Sequence, residues 1–353
     1  MPLGLFADRP GHVVLSEYTD PALGPRQYRV HTEFGSIKHG TGFLGFSGRS
    51  PFSDRTFDLK QRLFVPRQDG ADAGGDGRGY VGNMFVGQVV EVGGEVKRWR
   101  VGDRVFDHGP LTQTHTLEEA QGEPLESGMS AEDAVCIDPG LFAFGAIRDG
   151  RIALGDDVVV FGLGAIGQLA VQLLRLAGCA RVIAVDPVAR RRELASRLGA
   201  EVVLDPQEDV ALSVRQLLGR GADVAVEASG SYSALHQAMR AVGQCGRVVT
   251  VGFYKARDSQ LELGAEFFHN RIELIASLPA WGNPLRDAPL WDTARMSRSL
   301  VDLFRSGRLT SRGIVEPVVN FGQSADAFMQ AYRDPAYAIK LGVRFSPPRA
   351  GPP

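Results

Sequence analysis

Cysteine is scarce, with three in 353 residues, and Cys136, Cys179 and Cys245 lie far apart without a CxxC pair. That spacing argues against a zinc knuckle or a disulfide framework and for free thiols in a reducing compartment. Charge of one sign is lacking too: 39 Lys and Arg face 41 Asp and Glu, a formal net charge of -2. No basic field is available to recruit nucleic acid. Long apolar runs are missing. The most apolar stretch, 158–174, is broken by Gln168, Gln172 and three glycines, well short of the roughly 20 residues that a membrane helix needs. Residues 1–10 contain Asp8 and Arg9 and no apolar core, so they do not read as a secretory signal. The expectation is a soluble, cytoplasmic protein with neither membrane nor nucleic-acid partners.

What is present is a chain long enough for two domains, with 44% hydrophobic and 23% charged residues. Its front, to about residue 137, carries short β-branched runs at 13–15, 28–32, 85–92 and 104–106 between Gly, Pro and Asp clusters. The Gly- and Asp-rich stretch 68–79 reads as a mobile surface loop. From Asp157 strands and helices alternate. Strands are expected at 158–161, 182–185, 202–203, 224–227 and 248–251, separated by helices over 166–177, 189–198, near 212–218 and over 232–242. Such alternation builds a parallel sheet with helices on both faces, an α/β fold. A further strand is expected at 272–276, helices at 295–304 and 325–332, and a disordered tail at 346–353.

Gly162, Leu163, Gly164, Ala165, Ile166 and Gly167 satisfy GxGxxG directly after an apolar strand, and they open a helix with Leu169, Ala170, Leu173 and Leu174 on one face. In this context Gly162 permits the tight turn, Gly164 lets backbone approach a pyrophosphate, and Gly167 lets helix pack on strand. The helix N-terminus offers N–H groups and partial positive charge to phosphates. Nineteen positions after Gly167, at the end of the next strand, stands Asp186. An acid there accepts from both ribose hydroxyls and repels a 2′-phosphate, which favours NAD. Arg190, Arg191 and Arg192 follow, and any of them could hold that phosphate, so NADP stays open as the alternative.

The order of these parts resembles the medium-chain dehydrogenase/reductase superfamily over nearly the whole chain. Residues 86–93 with Val101, Gly102, Asp103, Arg104 and Val105 resemble its GxVxxVG and GDRV signatures. Asp138 and Pro139 resemble the acid-proline pair at its domain junction. Residues 227–230 and 249–253 resemble its later nucleotide strands. The resemblance implies a GroES-like β-rich catalytic domain, 1–139 and 279–353, and a Rossmann domain, 140–278. It further implies cofactor contacts from Ser229, Gly252, Phe253 and Tyr254, with Lys340 reaching the pyrophosphate. It also implies a homodimer paired through the edge strand 271–277.

The departures concern metal. Where zinc-dependent members carry a CGSD-like motif and GHE, this chain reads Ile37, Lys38, His39, Gly40, Thr41 and Gly82, Asn83, Met84; the four-cysteine structural lobe is absent. Only Asp138 remains as a ligand type, whereas catalytic zinc takes three. The expectation is therefore no zinc, and the 37–41 segment resembles a zinc-lacking branch acting on sugar-like, cyclitol-like and pigment alcohols. Lys38 falls on the lost metal position; a lysine there can stabilise an alkoxide, or exchange its proton if burial lowers its pKa. Lys38 is the expected catalytic group, positioned by Asp138, with His39 and Asn83 as further candidates beside it. His108 and His115 read more readily as structural histidines, and Trp281 and Trp291 as interface packing or walls of a substrate site. The leading expectation is an NAD-dependent dehydrogenase of a small secondary alcohol. The alternatives are an enone or quinone reductase, a redox-neutral epimerase with bound NAD, and an inactive nucleotide-binding homologue.

Overall fold

The computed structural model describes residues 1–9, 11–47, 55–66, 79–254, 261–279 and 290–347. The expected loop 68–78, the tail from 348 and Trp281 lie outside them. The chain divides into two compact units, Met1–Val135 with Val315–Pro353, and Cys136–Ile314.

The first unit is β-rich. Its main sheet runs in the order Glu123–Pro124, Arg104–Pro110, Gly82–Val92, Gln27–Ile37, Lys340–Arg344, Val315–Asn320, and Thr114–Glu118 also pairs with Gln27–Ile37. Gln27–Ile37 alternates partly exposed and buried residues up to Phe34, and one face of the sheet packs a core of Tyr28, Val30, Phe85, Val89, Trp99 and Val105. A second core joins Leu5, Ile37, Leu111, Leu341 and Val343 to Phe328 of the helix Ser324–Arg333. The returning C-terminal segment thus completes this unit, placing Gly342 opposite Ser36.

The second unit is a six-stranded parallel sheet in the order Val202–Leu204, Arg181–Val185, Asp157–Phe161, Ala222–Glu227, Val242–Thr250, Glu273–Ala276. Numbered along the chain this is 3-2-1-4-5-6, the doubly wound arrangement whose ligands sit beyond the carboxyl ends of the strands where the order reverses. That reversal falls between Asp157–Phe161 and Ala222–Glu227. Val158, Val159, Val160 and Phe161 are all buried, as a central strand covered on both faces requires.

The second unit extends past the expected boundary at 278, to Ile314. The reason is the helix Thr293–Arg305, whose Leu300 packs against Gly140 of the helix Ile137–Asp149. Two short or glycine-bearing helices, Ala131–Ala134 and His39–Phe46, and the helix Ile137–Asp149 interrupt what reads from sequence as strands and loops.

Candidate active site

The strand Asp157–Phe161 ends in Gly162 at φ +88, a left-handed conformation costly for other residues. A Cβ on Gly162 would meet Ser229 at 2.7 Å, and one on Gly167 would lie 1.9 Å from the Gly162 carbonyl oxygen. Gly164 differs. It is the N-cap of the helix Ala165–Leu176 with no side-chain cap, and a Cβ there would meet nothing within 4 Å. The turn therefore presents uncapped helix N–H groups, with Gly164 facing open space, and these residues fit a diphosphate cradle.

Asp186 ends the neighbouring strand and is 3% exposed. Its Oδ2 accepts from the Leu163 N–H and its Oδ1 from the Val188 N–H, both at 2.8 Å. Arg191 lies 3.6 Å from Oδ2. Arg192 donates to the Asp186 carbonyl oxygen at 2.6 Å and pairs with Asp205 at 3.0 Å. A carboxylate offers about four lone-pair sites, so acceptor capacity remains beyond the two backbone bonds and the Arg191 contact. Gln168, fully buried, donates to the carbonyls of Leu163 and Arg191, tying the glycine turn to the arginine segment.

On the other side of the reversal lies a residue that the motif reading missed. Glu227 ends its strand with no exposure at all, and its carboxylate accepts from the Ser229 N–H at 2.8 Å, the Ser229 hydroxyl, the Gly230 N–H at 3.1 Å and the Tyr254 hydroxyl at 2.6 Å. Burial pushes its carboxyl above the usual range, opposed by these donors. The available signal was an acid closing a buried strand just before Ser-Gly at the switch point. Ser229 is exposed at the strand end, and Gly230 after it lies against Gly252 and Phe253. Tyr254 leans on Tyr232, with ring centroids 4.9 Å apart, and burial and the Glu227 carboxylate raise its pKa.

In the first unit Ile37 pairs with Asn83, and Met84 with His108, so Lys38 follows directly on a strand end that lies opposite Asn83. Asn83 is nearly buried, and its carbonyl oxygen lies 3.3 Å from His108 Nδ1. The returning strand grips both flanks of Lys38. Lys340 Nζ donates to the Ile37 carbonyl at 3.3 Å, and the Leu341 N–H donates to His39 Nε2 at 3.1 Å. That bond makes Nε2 an acceptor, which sets the proton of a neutral ring on Nδ1. Lys340 is only 3% exposed. Asp138 belongs to the second unit, in the first turn of the helix Ile137–Asp149, where a carboxylate complements the helix dipole.

His115 is a core histidine. It stacks on Phe85 with centroids 3.6 Å apart, and burial lowers its pKa to about 3. Trp291 is sandwiched between the guanidinium groups of Arg148 and Arg295, at 4.5 and 3.9 Å, which is packing within its own unit. Among the described residues no three His, Cys, Asp or Glu side chains form a group able to hold a metal, and no helix is long and apolar enough to cross a membrane.

Residues 165–278 match a family model described as zinc-binding dehydrogenase. The chain is 38% identical over 349 residues to D-guloside 3-dehydrogenase of Escherichia coli (strain K12), covering 97% of this chain and 99% of that protein. Its fold is similar to the solved 2R,3R-butanediol dehydrogenase of Bacillus subtilis, with TM-score 0.76, 20% identity and coverage of 98% and 99% of the two chains. It is nearly as similar to a quinone oxidoreductase of Pseudomonas syringae pv. Tomato DC3000, with TM-score 0.73, 21% identity and coverage of 98% and 100%. Alcohol and quinone enzymes thus share this backbone, and the fold alone does not choose between them. On the full-length match and the doubly wound nucleotide-binding unit, the chain is an oxidoreductase belonging to the medium-chain dehydrogenase/reductase superfamily.

Proposed function

We propose that this chain is an NAD(H)-dependent dehydrogenase that interconverts a secondary hydroxyl of a sugar or polyol with its ketone, and does so without zinc. The observation that carries the cofactor choice is the Asp186 carboxylate, which has acceptor capacity for a ribose hydroxyl beyond its two backbone bonds and the Arg191 contact, while Arg192 is engaged by Asp205 and the Asp186 carbonyl. The substrate class rests on the relative named D-guloside 3-dehydrogenase, aligned over almost the whole of both chains.

The donor set does not fit a catalytic zinc ion. Lysine and asparagine, at Lys38 and Asn83, are poor ligands for a metal that takes Cys, His and carboxylate. The reaction therefore needs a protein group for the hydroxyl proton. NAD, held by the glycine turn and Asp186, would supply the hydride acceptor for the carbinol carbon; the chain's own residues manage the oxygen. Lys38 takes the hydroxyl proton, and the ammonium formed by that transfer stabilises negative charge developing on the oxygen. Asn83 donates a hydrogen bond from its amide, and His39 stands beside Lys38 with one nitrogen held by Leu341.

The sheet edge Glu273–Ala276, with Leu274 44% exposed, supports a homodimer paired through that strand. Light scattering at micromolar concentration reads this directly: a monomer removes it. The cysteines Cys136, Cys179 and Cys245, free thiols, suit a cytoplasmic protein.

The functional reading is tested by following NADH absorbance with a panel of glycosides, sugars, cyclitols, simple alcohols and quinones. Reduction of NAD by a glycoside, sugar or cyclitol supports it. Oxidation of NADH or NADPH by quinones, with no alcohol turned over, overturns it.

A further inference from the structure

Two loops meet beyond the carboxyl ends of the second half of the parallel sheet, 227–230 after Ala222–Glu227 and 251–254 after Val242–Thr250. In a doubly wound sheet each half carries one mononucleotide. The adenosine half falls to the side of Asp186, which leaves these loops under the nicotinamide half. Both are built at very close quarters. A Cβ on Gly252 would meet the Gly230 nitrogen at 2.2 Å and Glu227 Oε2 at 2.9 Å, and one on Gly230 would meet the Phe253 carbonyl oxygen at 2.5 Å.

The group that joins them is the Glu227 carboxylate. One oxygen gathers the Ser229 N–H, the Ser229 hydroxyl and the Gly230 N–H of its own loop; the other takes the Tyr254 hydroxyl of the next. The Glu227 backbone carbonyl also accepts from Val251 and Gly252. With no exposure, the side chain cannot touch a ligand itself. A carboxylate buried without a metal or a cationic partner in its hydrogen-bond set is costly, and it is tolerated where several donors converge on it.

We propose that Glu227, with the hydroxyl of Tyr254, is a positioning pair that fixes the height and spacing of the two loops under the nicotinamide ring, and so controls binding of that half of the cofactor. This rests on the dinucleotide reading above. The adenosine half is organised separately, by Asp186 and Gln168.

The test compares NADH with ADP-ribose, which keeps the adenosine and diphosphate but lacks the nicotinamide. Tyr254→Phe removes one oxygen and keeps the ring, and Glu227→Gln keeps the shape. Each variant is titrated with both ligands by calorimetry. The expected result is NADH affinity weakened about tenfold, the size of one lost charge-assisted hydrogen bond, with ADP-ribose affinity within about twofold of wild type. The split between kcat and KM should follow, with kcat falling in Tyr254→Phe while the substrate KM holds. Equal weakening of both ligands, or no change in either, overturns the proposal. Wild-type protein that binds neither ligand overturns the dinucleotide reading instead, so the two failures are distinguishable. Should Glu227→Gln not fold, Tyr254→Phe alone decides.

Discussion

Asp186 reaches back across the turn to hold the N–H of Leu163 at 2.8 Å, within the glycine-rich motif itself. The acid proposed to grip the ribose thus also braces the proposed diphosphate loop, and both would be lost together. Replacing it by Asn removes a charge-assisted acceptor from Leu163, Val188 and the ribose. We expect NADH affinity to fall by about tenfold to a hundredfold, and the preference for NADH over NADPH to narrow. Paired fluorescence titrations with the two cofactors check this.

The three motif glycines are not equivalent, and two substitutions should separate them. Gly167→Ala puts a methyl group 1.9 Å from the Gly162 carbonyl oxygen, so backbone must move. A loss of about 1–3 kcal/mol in stability is expected, seen as a lowered thermal midpoint. Gly164→Ala meets no neighbour and has φ −70, so its midpoint should hold while NADH binding weakens. Equal effects on the two midpoints would contradict the cradle assignment.

Lys38→Met should leave NADH affinity unchanged and lower kcat by about a hundredfold to ten-thousandfold, the usual range for loss of a general acid–base group. Stopped-flow turnover with a glycoside or sugar substrate measures it. Wild-type turnover in this variant would remove Lys38 from the mechanism.

His115 gives the acid side of the stability curve a defined slope. Below about pH 6.5 the unfolded ring takes up a proton, whereas the folded ring resists protonation until about 3. Stability held above 6.5 is therefore lost as pH falls through that window, by at most about 1.4 kcal/mol per pH unit. His115→Phe preserves the stack on Phe85 and should flatten the slope in urea titrations at stepped pH.

The nucleotide unit was legible because its signals are local. An apolar strand, three spaced glycines and an acid after the next strand lie within one stretch of chain, and the fold seats them as expected. Its far boundary was hidden, since Leu300 on Gly140 is a contact between distant segments that no local pattern announces. The strands Val315–Asn320 and Lys340–Arg344 were obscured by Pro317 and Gly342, which weaken strand patterns. The helix His39–Phe46 was masked by Gly40, Gly42 and Gly45, poor helix formers. At the candidate site, residue types identified Lys38 and Asn83, but their pairing through Ile37 and the grip of Lys340 and Leu341 depend on strand register. Lys340 was expected at the cofactor diphosphate; one bond it makes in its own unit is to the Ile37 carbonyl. Glu227 was matched only as part of the 227–230 motif and given no role, because its partners converge only once two loops are folded together.

Turnover by enzyme dialysed exhaustively against a chelator, with metal content measured on the same sample, tests the central claim most directly. The account predicts that zinc-stripped protein reduces NAD with a sugar or glycoside substrate at the untreated rate. Activity that disappears on dialysis and returns with added zinc would contradict it.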